Sequence, residues 1–272
     1  MRRRTLLASL GTAATTATAG CLGSVFGTTV SESFENSYDV TDGTTLTVAN
    51  RNGNVTVRDT DADRLTVAGE KRAGSDSALD EISVDVTTGE QFAVEVSFGS
   101  GSAFEQRSVD LTLDVPGVVT VDRLETSNGN VTAEGVSGDV GATTSNGSVT
   151  LTDIDGYVDC DTSNGNVRVR GATGVDGART SNGTVDVELL AMRGDVTCDS
   201  SNGTVTVRVG PDVSAGFRLS TTNGRASVEN VDHTASTSRR GLVEGQLRGG
   251  SSPVLRAETT NGDVRLRPAD GE

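Results

Sequence analysis

Apolar and polar residues alternate after a series of Asn-Gly pairs along the chain. The pairs begin at Asn52, Asn128, Asn146, Asn164, Asn182, Asn202, Asn223 and Asn261. From Asn128 onward, the third and fifth residues after each Asn are apolar, and the residue between them is polar. After Asn164, for example, Val167 and Val169 flank Arg168. A period of two predicts β-strands with one buried face, each starting directly after a turn.

The turns recur at a nearly constant distance, with steps from Asn128 of 18, 18, 18, 20, 21 and 38 residues. Apolar, mostly small residues lie four places before each Asn and are expected to point inward: Leu124, Ala142, Cys160, Ala178, Cys198, Leu219 and Ala257. The residues expected to face outward are Thr132, Thr150, Arg168, Asp186 and Thr206. Asn-Gly pairs are also typical of two-residue hairpins, but a meander of such hairpins would not require equivalent residues to recur at positions 18 residues apart,. Stacked coils do, because each side chain meets its counterpart at about 4.8 Å.

The expected fold class is therefore all-β, a β-solenoid or β-helix-like stack of coils of about 18 residues with Asn-Gly turns, each coil lying on the preceding one,. The repeat domain is expected over residues 44–268. Residues 230–256 interrupt the spacing and predict an irregular coil with a protruding loop or hairpin around Ser236 to Gly250. A weaker second turn follows in other coils, at Gly138-Asp139-Val140, Gly156-Tyr157-Val158 and Gly194-Asp195-Val196. The third coil reads Gly174-Val175-Asp176 instead, which leaves its register at this turn open.

Three stretches in this order resemble the DUF4097 family of candidate adhesins. They are "LTVANRNGNVTV" from Leu46, "VDLTLDVPG" from Val109 and the serial "TSNG" units, and the likeness covers roughly residues 44–268. The resemblance implies a β-solenoid or β-helix-like fold on exported or envelope proteins. It implies no catalytic residues.

The first 21 residues, "MRRRTLLASLGTAATTATAGC", have the layout of an export signal. Arg3 and Arg4, followed by Thr5-Leu6-Leu7, resemble the twin-arginine motif,. Thr18-Ala19-Gly20-Cys21 resembles a lipobox, in which Cys21 is lipidated and becomes the mature N-terminus, although Thr18 replaces the usual leucine. Residues 1–20 are thus expected to be a lipoprotein signal peptide and residues 21–43 a lipidated flexible tether, with simple secretion as the alternative. The predicted location is the outer face of the cytoplasmic membrane.

Composition narrows the possible partners. The formal net charge is −15, and Lys71 is the only lysine. Such an acidic, lysine-poor surface is typical of halophilic proteins, in which salt screens the repulsion between carboxylates, with an ordinary acidic secreted protein as the alternative. The charge argues against binding to nucleic acid. Tryptophan is absent, although Trp and Tyr usually supply hot spots and sugar-binding surfaces,.

No motif predicts a metal or a cofactor. His233 is the only histidine, and we expect it in an exposed loop,. Cys160 and Cys198 lie two coils apart, about 9.6 Å, which is too far for a disulfide, so we expect two small buried side chains. The acidic run "DIDGYVDCD" from Asp153 suggests a calcium site. The calcium-binding β-roll needs turns of the form GGxGxD, however, and the turns here read TSNG, so an acidic face in contact with solvent explains the run better,.

Five N-glycosylation sequons lie in the Asn-Gly turns or directly after them. Asn-x-Ser/Thr begins at Asn54, Asn130, Asn146, Asn182 and Asn202,. Asparagines stacked inside the turns are expected to be poor acceptors, so Asn54 and Asn130 are the better candidates for glycosylation.

The sequence therefore favours a lipid-anchored, non-catalytic binding or scaffold element of the cell envelope. Its partners would be the membrane, through the lipid, and an envelope protein or glycan that the sequence does not identify. The alternatives are an envelope-stress or signalling accessory protein and a polysaccharide-active β-helix enzyme. An enzyme would cluster Asp, Glu and Arg in a groove, whereas a scaffold would distribute them evenly over its ladders.

Overall fold

A computed structural model describes residues 29–99 and 107–269. The described residues are almost entirely β-strand, with one short helix, α1 (Asp76–Asp80). Val, Leu and Ala at alternate positions form these strands because β-branched and apolar side chains pack well on a pleated, half-buried surface. The predicted all-β solenoid is confirmed.

The strands form two sheets, called sheet A and sheet B. Sheet A has eleven strands in the spatial order β1 (Val30–Asp39), β4 (Arg64–Ala73), β7 (Ser108–Pro116), β3 (Val55–Thr60), β9 (Val131–Glu134), β11 (Val149–Thr152), β13 (Val167–Arg170), β15 (Val185–Leu189), β17 (Val205–Val209), β23 (Val264–Pro268) and β19 (Ala226–Val228). Sheet B has twelve in the order β20 (His233–Arg239), β21 (Leu242–Leu247), β18 (Ala215–Asn223), β22 (Val254–Asn261), β16 (Val196–Asn202), β14 (Gly174–Asn182), β12 (Tyr157–Asn164), β10 (Val140–Asn146), β8 (Val119–Asn128), β2 (Thr44–Ala49), β6 (Gln91–Ser97) and β5 (Ser83–Thr87).

Each central coil consists of one strand of sheet B, an Asn-Gly turn and one strand of sheet A. Successive coils pair in parallel and in register, so that Val167 lies between Val149 and Val185. The inward side chains of both sheets form one hydrophobic core. All seven residues of the apolar column predicted from the sequence are buried, each with an exposed fraction of 0%.

Of the residues expected to face outward, only Thr206 is buried, with an exposed fraction of 7%. It lies between Asp186 and Arg265 in the neighbouring strands. The register of the third coil, which the sequence leaves open, is shifted by a one-residue bulge. Val158 pairs with Val175, and the next residue, Asp159, pairs with Gly177, so Asp176 is the extra residue.

The order of the coils differs from the expectation at both ends of the stack. The coil of β22 and β23 lies between β16–β17 and β18–β19, although it is last in sequence. Strand β18 lies outside it because β18 pairs on its other edge with the antiparallel hairpin of β20 and β21. At the other end, β8 and β9 pair directly with β2 and β3, while β6 and β7 lie beyond. The prediction that every coil lies on the preceding one is therefore wrong outside the central coils.

Two of the predicted segments are more regular than expected. Residues 30–39 of the predicted tether form β1, which pairs antiparallel with β4 along its whole length. The hairpin expected around Ser236 to Gly250 is present, but it does not protrude, because β21 extends sheet B. Antiparallel strands therefore form three of the four sheet edges, β1, β5 and β20, while the fourth edge is β19, which is parallel to β23.

The stacked core gives a direct test of register. Val167 is 1% exposed, whereas its neighbour Arg168 faces solvent. We predict that Val167→Asp unfolds the domain, because an unpaired buried carboxylate costs several kcal/mol. Arg168→Asp should cost well under about 1 kcal/mol. Thermal unfolding of both variants measures the contrast, and similar melting temperatures would contradict the register.

Candidate functional site

The Thr-Ser-Asn-Gly units lie above one another along one long edge of the solenoid. We call the exposed part of this edge the Ser-Asn-Gly corner, comprising residues 127–129, 145–147, 163–165, 181–183 and 201–203. It joins the sheet B strand of each coil to the sheet A strand of the same coil. Three of the four residues in each unit have a visible structural role.

The asparagines form a continuous ladder of side-chain hydrogen bonds. Asn164 Nδ2 donates to Asn146 Oδ1 at 3.0 Å, and Asn182 Nδ2 donates to Asn164 Oδ1 at 3.0 Å. The same bond joins all eight Asn-Gly turns in their spatial order, from Asn52 to Asn223. The spacing of the strands, about 4.8 Å, lets each amide meet its counterpart.

The threonine of each unit is buried and bonds to the neighbouring coil. Thr162 is 2% exposed, and its hydroxyl donates to the carbonyl of Gly147 at 2.8 Å. Equivalent bonds join Thr126, Thr144, Thr180, Ser200, Thr259 and Thr221 to the glycine of the adjacent turn. The hydroxyl thus satisfies a carbonyl that would otherwise lack a partner at a turn.

The glycines are required by the closeness of neighbouring turns. A Cβ on Gly165 would lie 1.9 Å from the carbonyl oxygen of Gly147. A left-handed backbone adds a second reason at some turns, such as Gly183 with φ of 158°,. The steric limit is common to the stacked turns, so glycine is required there even where the backbone conformation alone does not demand it.

The serine of each unit has no such role. Ser127, Ser145, Ser163, Ser181 and Ser201 are exposed, and their hydroxyls bond to no other residue within 29–99 and 107–269. These serines, the asparagines beside them and the residues that follow the glycines are all uncharged, in a chain of net charge −15. Each hydroxyl can donate and accept, and each Asn oxygen keeps a second acceptor position. The corner is therefore a rigid row of hydrogen-bonding groups about 19 Å long.

The importance of the serines was missed at the level of sequence. Their recurrence in "TSNG" is visible in the sequence. The sequence does not show, however, that the threonine hydroxyl bonds to a glycine carbonyl of the neighbouring coil while the serine hydroxyl points to solvent. Asn54 and Asn130, the predicted glycosylation sites, are exposed. Their side-chain oxygens accept the backbone N–H of Asn130 and Ser148 at 2.9 and 2.8 Å, so they form a second ladder. Their glycosylation stays a prediction.

Charged side chains lie along the outer faces of both sheets and pair across coils. Asp186 contacts Arg170 at 2.6 Å and Arg208 at 3.2 Å on sheet A. Arg179 lies between Asp159 and Asp199 on sheet B, at 3.8 and 3.6 Å. Partial burial raises the pKa of Asp199, and the nearby Arg179 opposes that shift. The Arg179 pairs are about half-exposed and stabilise the fold only modestly,. The side chains of the Asp186 pairs are less exposed, at 20–24%.

One arginine joins three coils near the second turn. The guanidinium of Arg193 lies 4.2 Å from the centre of the Tyr157 ring and pairs with Asp139 at 2.6 Å and with Asp176. The pKa of Asp139 is lowered, first by the N–H of Tyr157 and then by Arg193. Arg193 and its partners thus form a set of surface contacts across coils.

The side chains considered for chemistry do not form a reactive centre. Cys160 and Cys198 are buried and form no disulfide, as predicted. Burial raises the pKa of Cys198 to about 12, so this thiol stays protonated at neutral pH and is a poor nucleophile,. His233 is exposed at the start of β20 and lies 6.0 Å from the Phe217 ring. Among the described residues, no group of three or more His, Cys, Asp or Glu side chains could hold a metal ion.

The comparisons with known proteins identify the family. The Toastrack DUF4097 family profile matches residues 29–267. The chain belongs to the DUF4097 family. No curated protein matches the sequence.

Solved structures match this DUF4097 chain at low similarity. A candidate adhesin from Bacteroides fragilis is 14% identical, with a TM-score of 0.44, and the match covers 86% of this chain and 96% of that one. A candidate cell adhesion protein from Clostridium sporogenes is 11% identical, with a TM-score of 0.36 and coverage of 86% and 99%. A candidate adhesin from Parabacteroides distasonis is 12% identical, with a TM-score of 0.38 and coverage of 88% and 97%. These similarities identify neither a partner nor an activity for this chain.

The export and anchoring residues, Arg3, Arg4 and Cys21, lie outside the described residues, as does the whole predicted signal peptide. In the described ranges, no helix is long and apolar enough to cross a membrane.

The different roles within one unit can be tested by two single substitutions. Thr162→Val should destabilise the domain by about 1 kcal/mol, because it removes the donor to the Gly147 carbonyl,. Ser163→Ala should change stability by less than about 0.5 kcal/mol, because its hydroxyl bonds to nothing in the described chain,. Denaturant unfolding measures both, and equal losses would show that the serine is structural.

Proposed function

We propose that this chain is an exported, non-catalytic binding element of the cell envelope, adhesin-like in role. The observation that carries the proposal is the Ser-Asn-Gly corner, an exposed row of hydroxyl and amide groups held at a fixed spacing by the ladders beneath it. Preorganised groups of this kind lose little conformational entropy on binding. Their regular repeat suits an extended partner, such as a glycan or an extended segment of an envelope protein.

Charge supports the choice of this surface. Most of the chain is strongly acidic, so it repels acidic neighbours, whereas the corner is neutral,. The charged side chains are spread as ion pairs over the outer faces of both sheets, and this distribution favours binding over the alternative of a polysaccharide-active enzyme,.

Anchoring forms part of the same proposal. The N-terminal sequence supports export through Arg3 and Arg4 and lipidation at Cys21,. A lipid on Cys21 would tether the solenoid through the residues before β1, which begins at Val30. The corner would then be presented on the outer side of the cytoplasmic membrane.

The binding role predicts a specific loss of function. Ser163→Arg combined with Ser181→Arg should lower binding of the purified mature chain to isolated cell envelopes at least tenfold, because two bulky charges interrupt the neutral row. Co-sedimentation with the envelopes measures the bound fraction. Thr87→Arg combined with Thr88→Arg is the matched control, since both threonines are exposed and lie at the far end of sheet B. Equal binding of the two double variants would contradict the proposal.

The anchor gives a separate prediction. Cys21→Ser should release the protein from the membrane fraction into the medium or arrest its processing, because serine cannot form the thioether to the lipid. Fractionation of cells followed by mass spectrometry of the mature N-terminus measures both outcomes. Unchanged membrane association and processing would exclude a lipid on Cys21 while leaving the corner untouched.

A further inference from the structure

Charge is divided unevenly between the two ends of the solenoid. The described residues up to 200 contain 11 basic and 29 acidic side chains, a net charge of −18. Residues 201–269 contain nine arginines and six carboxylates, a net charge of +3. Most of these later residues form strands β17 to β23, which lie together at one end of both sheets. The solenoid therefore has an acidic body and a basic end.

Most arginines at this end are neutralised by a partner. Arg218 pairs with Glu244 and Glu258, and Arg267 pairs with Glu229 at 2.9 Å. Arg225, Arg239 and Arg240 differ, because each is exposed and forms no ion pair with any residue of the described ranges. Their positive charge is available to a ligand.

The hairpin brings Arg240 to the last Asn-Gly turn, beside Arg225, which follows that turn in sequence. The carbonyl of Arg240 accepts the N–H of Ala226 at 2.9 Å, and the carbonyl of Gly241 accepts the N–H of Thr221 at 2.9 Å. The turn between β20 and β21 is thus fixed on both sides of Asn223 and Gly224. Between them is a cleft of about 550 Å³, lined by Thr222, Asn223, Gly224, Arg240 and Gly241.

The cleft lies where the ladder of asparagines ends. Asn223 Nδ2 donates to Asn261 Oδ1 at 2.9 Å, but among the described residues no further asparagine lies beyond Asn223 to donate to its own oxygen. In the same way, the N–H of Gly262 donates to the carbonyl of Asn223 at 3.2 Å, whereas Gly224 has no further turn to receive its N–H. The end of the ladder therefore offers an acceptor and a donor to a molecule in the cleft.

We propose that this basic tip, formed by Arg240 in the lining of the cleft and by Arg225 and Arg239, each next to a lining residue in sequence, binds a glycan chain that carries carboxylate or sulfate groups. Guanidinium groups bind such anions through paired, charge-assisted hydrogen bonds. The hydroxyl of Thr222 and the side-chain oxygen of Asn223 suit the hydroxyl groups of a sugar. The volume of the cleft falls within the range of small-ligand sites and accommodates one or two sugar residues.

The surroundings favour a glycan over an acidic protein. Protein interfaces generally have an apolar core, whereas the cleft is lined only by polar residues, glycine and arginine,. The large apolar residues that are exposed in the described chain, Val118 and Leu190, belong to other coils. The inference goes beyond the function proposed above, because it assigns a second surface that can bind or fail to bind independently of the corner.

The test uses the mature full chain and four polymers as probes: polygalacturonate, dextran sulfate, uncharged dextran and poly-L-glutamate. Titration calorimetry at two salt concentrations should show binding to polygalacturonate, dextran sulfate or both, weakening as salt increases. The first two polymers distinguish carboxylate from sulfate. Uncharged dextran should bind at least tenfold more weakly than the better charged glycan, and so should poly-L-glutamate.

Arg225→Gln combined with Arg240→Gln should weaken the binding of the charged glycan at least tenfold. The matched control is Arg51→Gln combined with Arg168→Gln, which removes the same charge from exposed positions elsewhere and should change affinity less than twofold. Melting temperatures within about 2 °C of the original chain would show that all variants are folded.

Three results would overturn the proposal: no binding to either charged glycan, equal losses in the two double variants, or poly-L-glutamate binding as tightly as the glycans. The last result would identify an acidic polypeptide as the partner class. The Ser163→Arg and Ser181→Arg variant keeps its affinity for the charged glycan if the tip acts alone, so failure of the tip and failure of the corner are distinguishable.

Discussion

The spacing of about 4.8 Å between hydrogen-bonded strands is the constraint on which the rest of this structure depends. It places each residue of a coil directly against its counterpart in the next, so any residue used in one coil must tolerate a copy of itself. Valine columns meet this condition in the core, where Val149, Val167 and Val185 pack in register. Asparagine meets it at the turn, because its amide is both donor and acceptor.

The same constraint separates structural groups from groups that are free to bind. Within each Thr-Ser-Asn-Gly unit, the threonine satisfies a glycine carbonyl, the asparagine continues the ladder and the glycine permits close approach. Only the serine remains unused and exposed. A surface built in this way is rigid because every group beneath it is fixed by two neighbours. Rigidity and neutrality together make the Ser-Asn-Gly corner the better candidate for binding, ahead of the ion pairs on the sheet faces.

A stack of identical coils has no natural end, so the ends differ from the middle. Here β1 and β4 cover sheet A at one end by antiparallel pairing, and the hairpin of β20 and β21 covers sheet B at the other. The hairpin also has a chemical consequence, because its turn places Arg240 beside the last asparagine of the ladder. The place where the repeat stops is thus the place where ladder groups and unpaired positive charge meet.

The sequence by itself determined the coil, its length, its turn residues and its inward faces. Period-two alternation and the 18-residue recurrence are local signals, and the burial of Val167 beside the exposed Arg168 follows from them alone,. The tertiary structure decided the order of the coils, the strand at residues 30–39, the burial of Thr206 and the meeting of Arg225 with Arg240. These features depend on which edges pair over long distances. Identical coils offer nearly identical edges, so only the packing of the whole chain distinguishes between them.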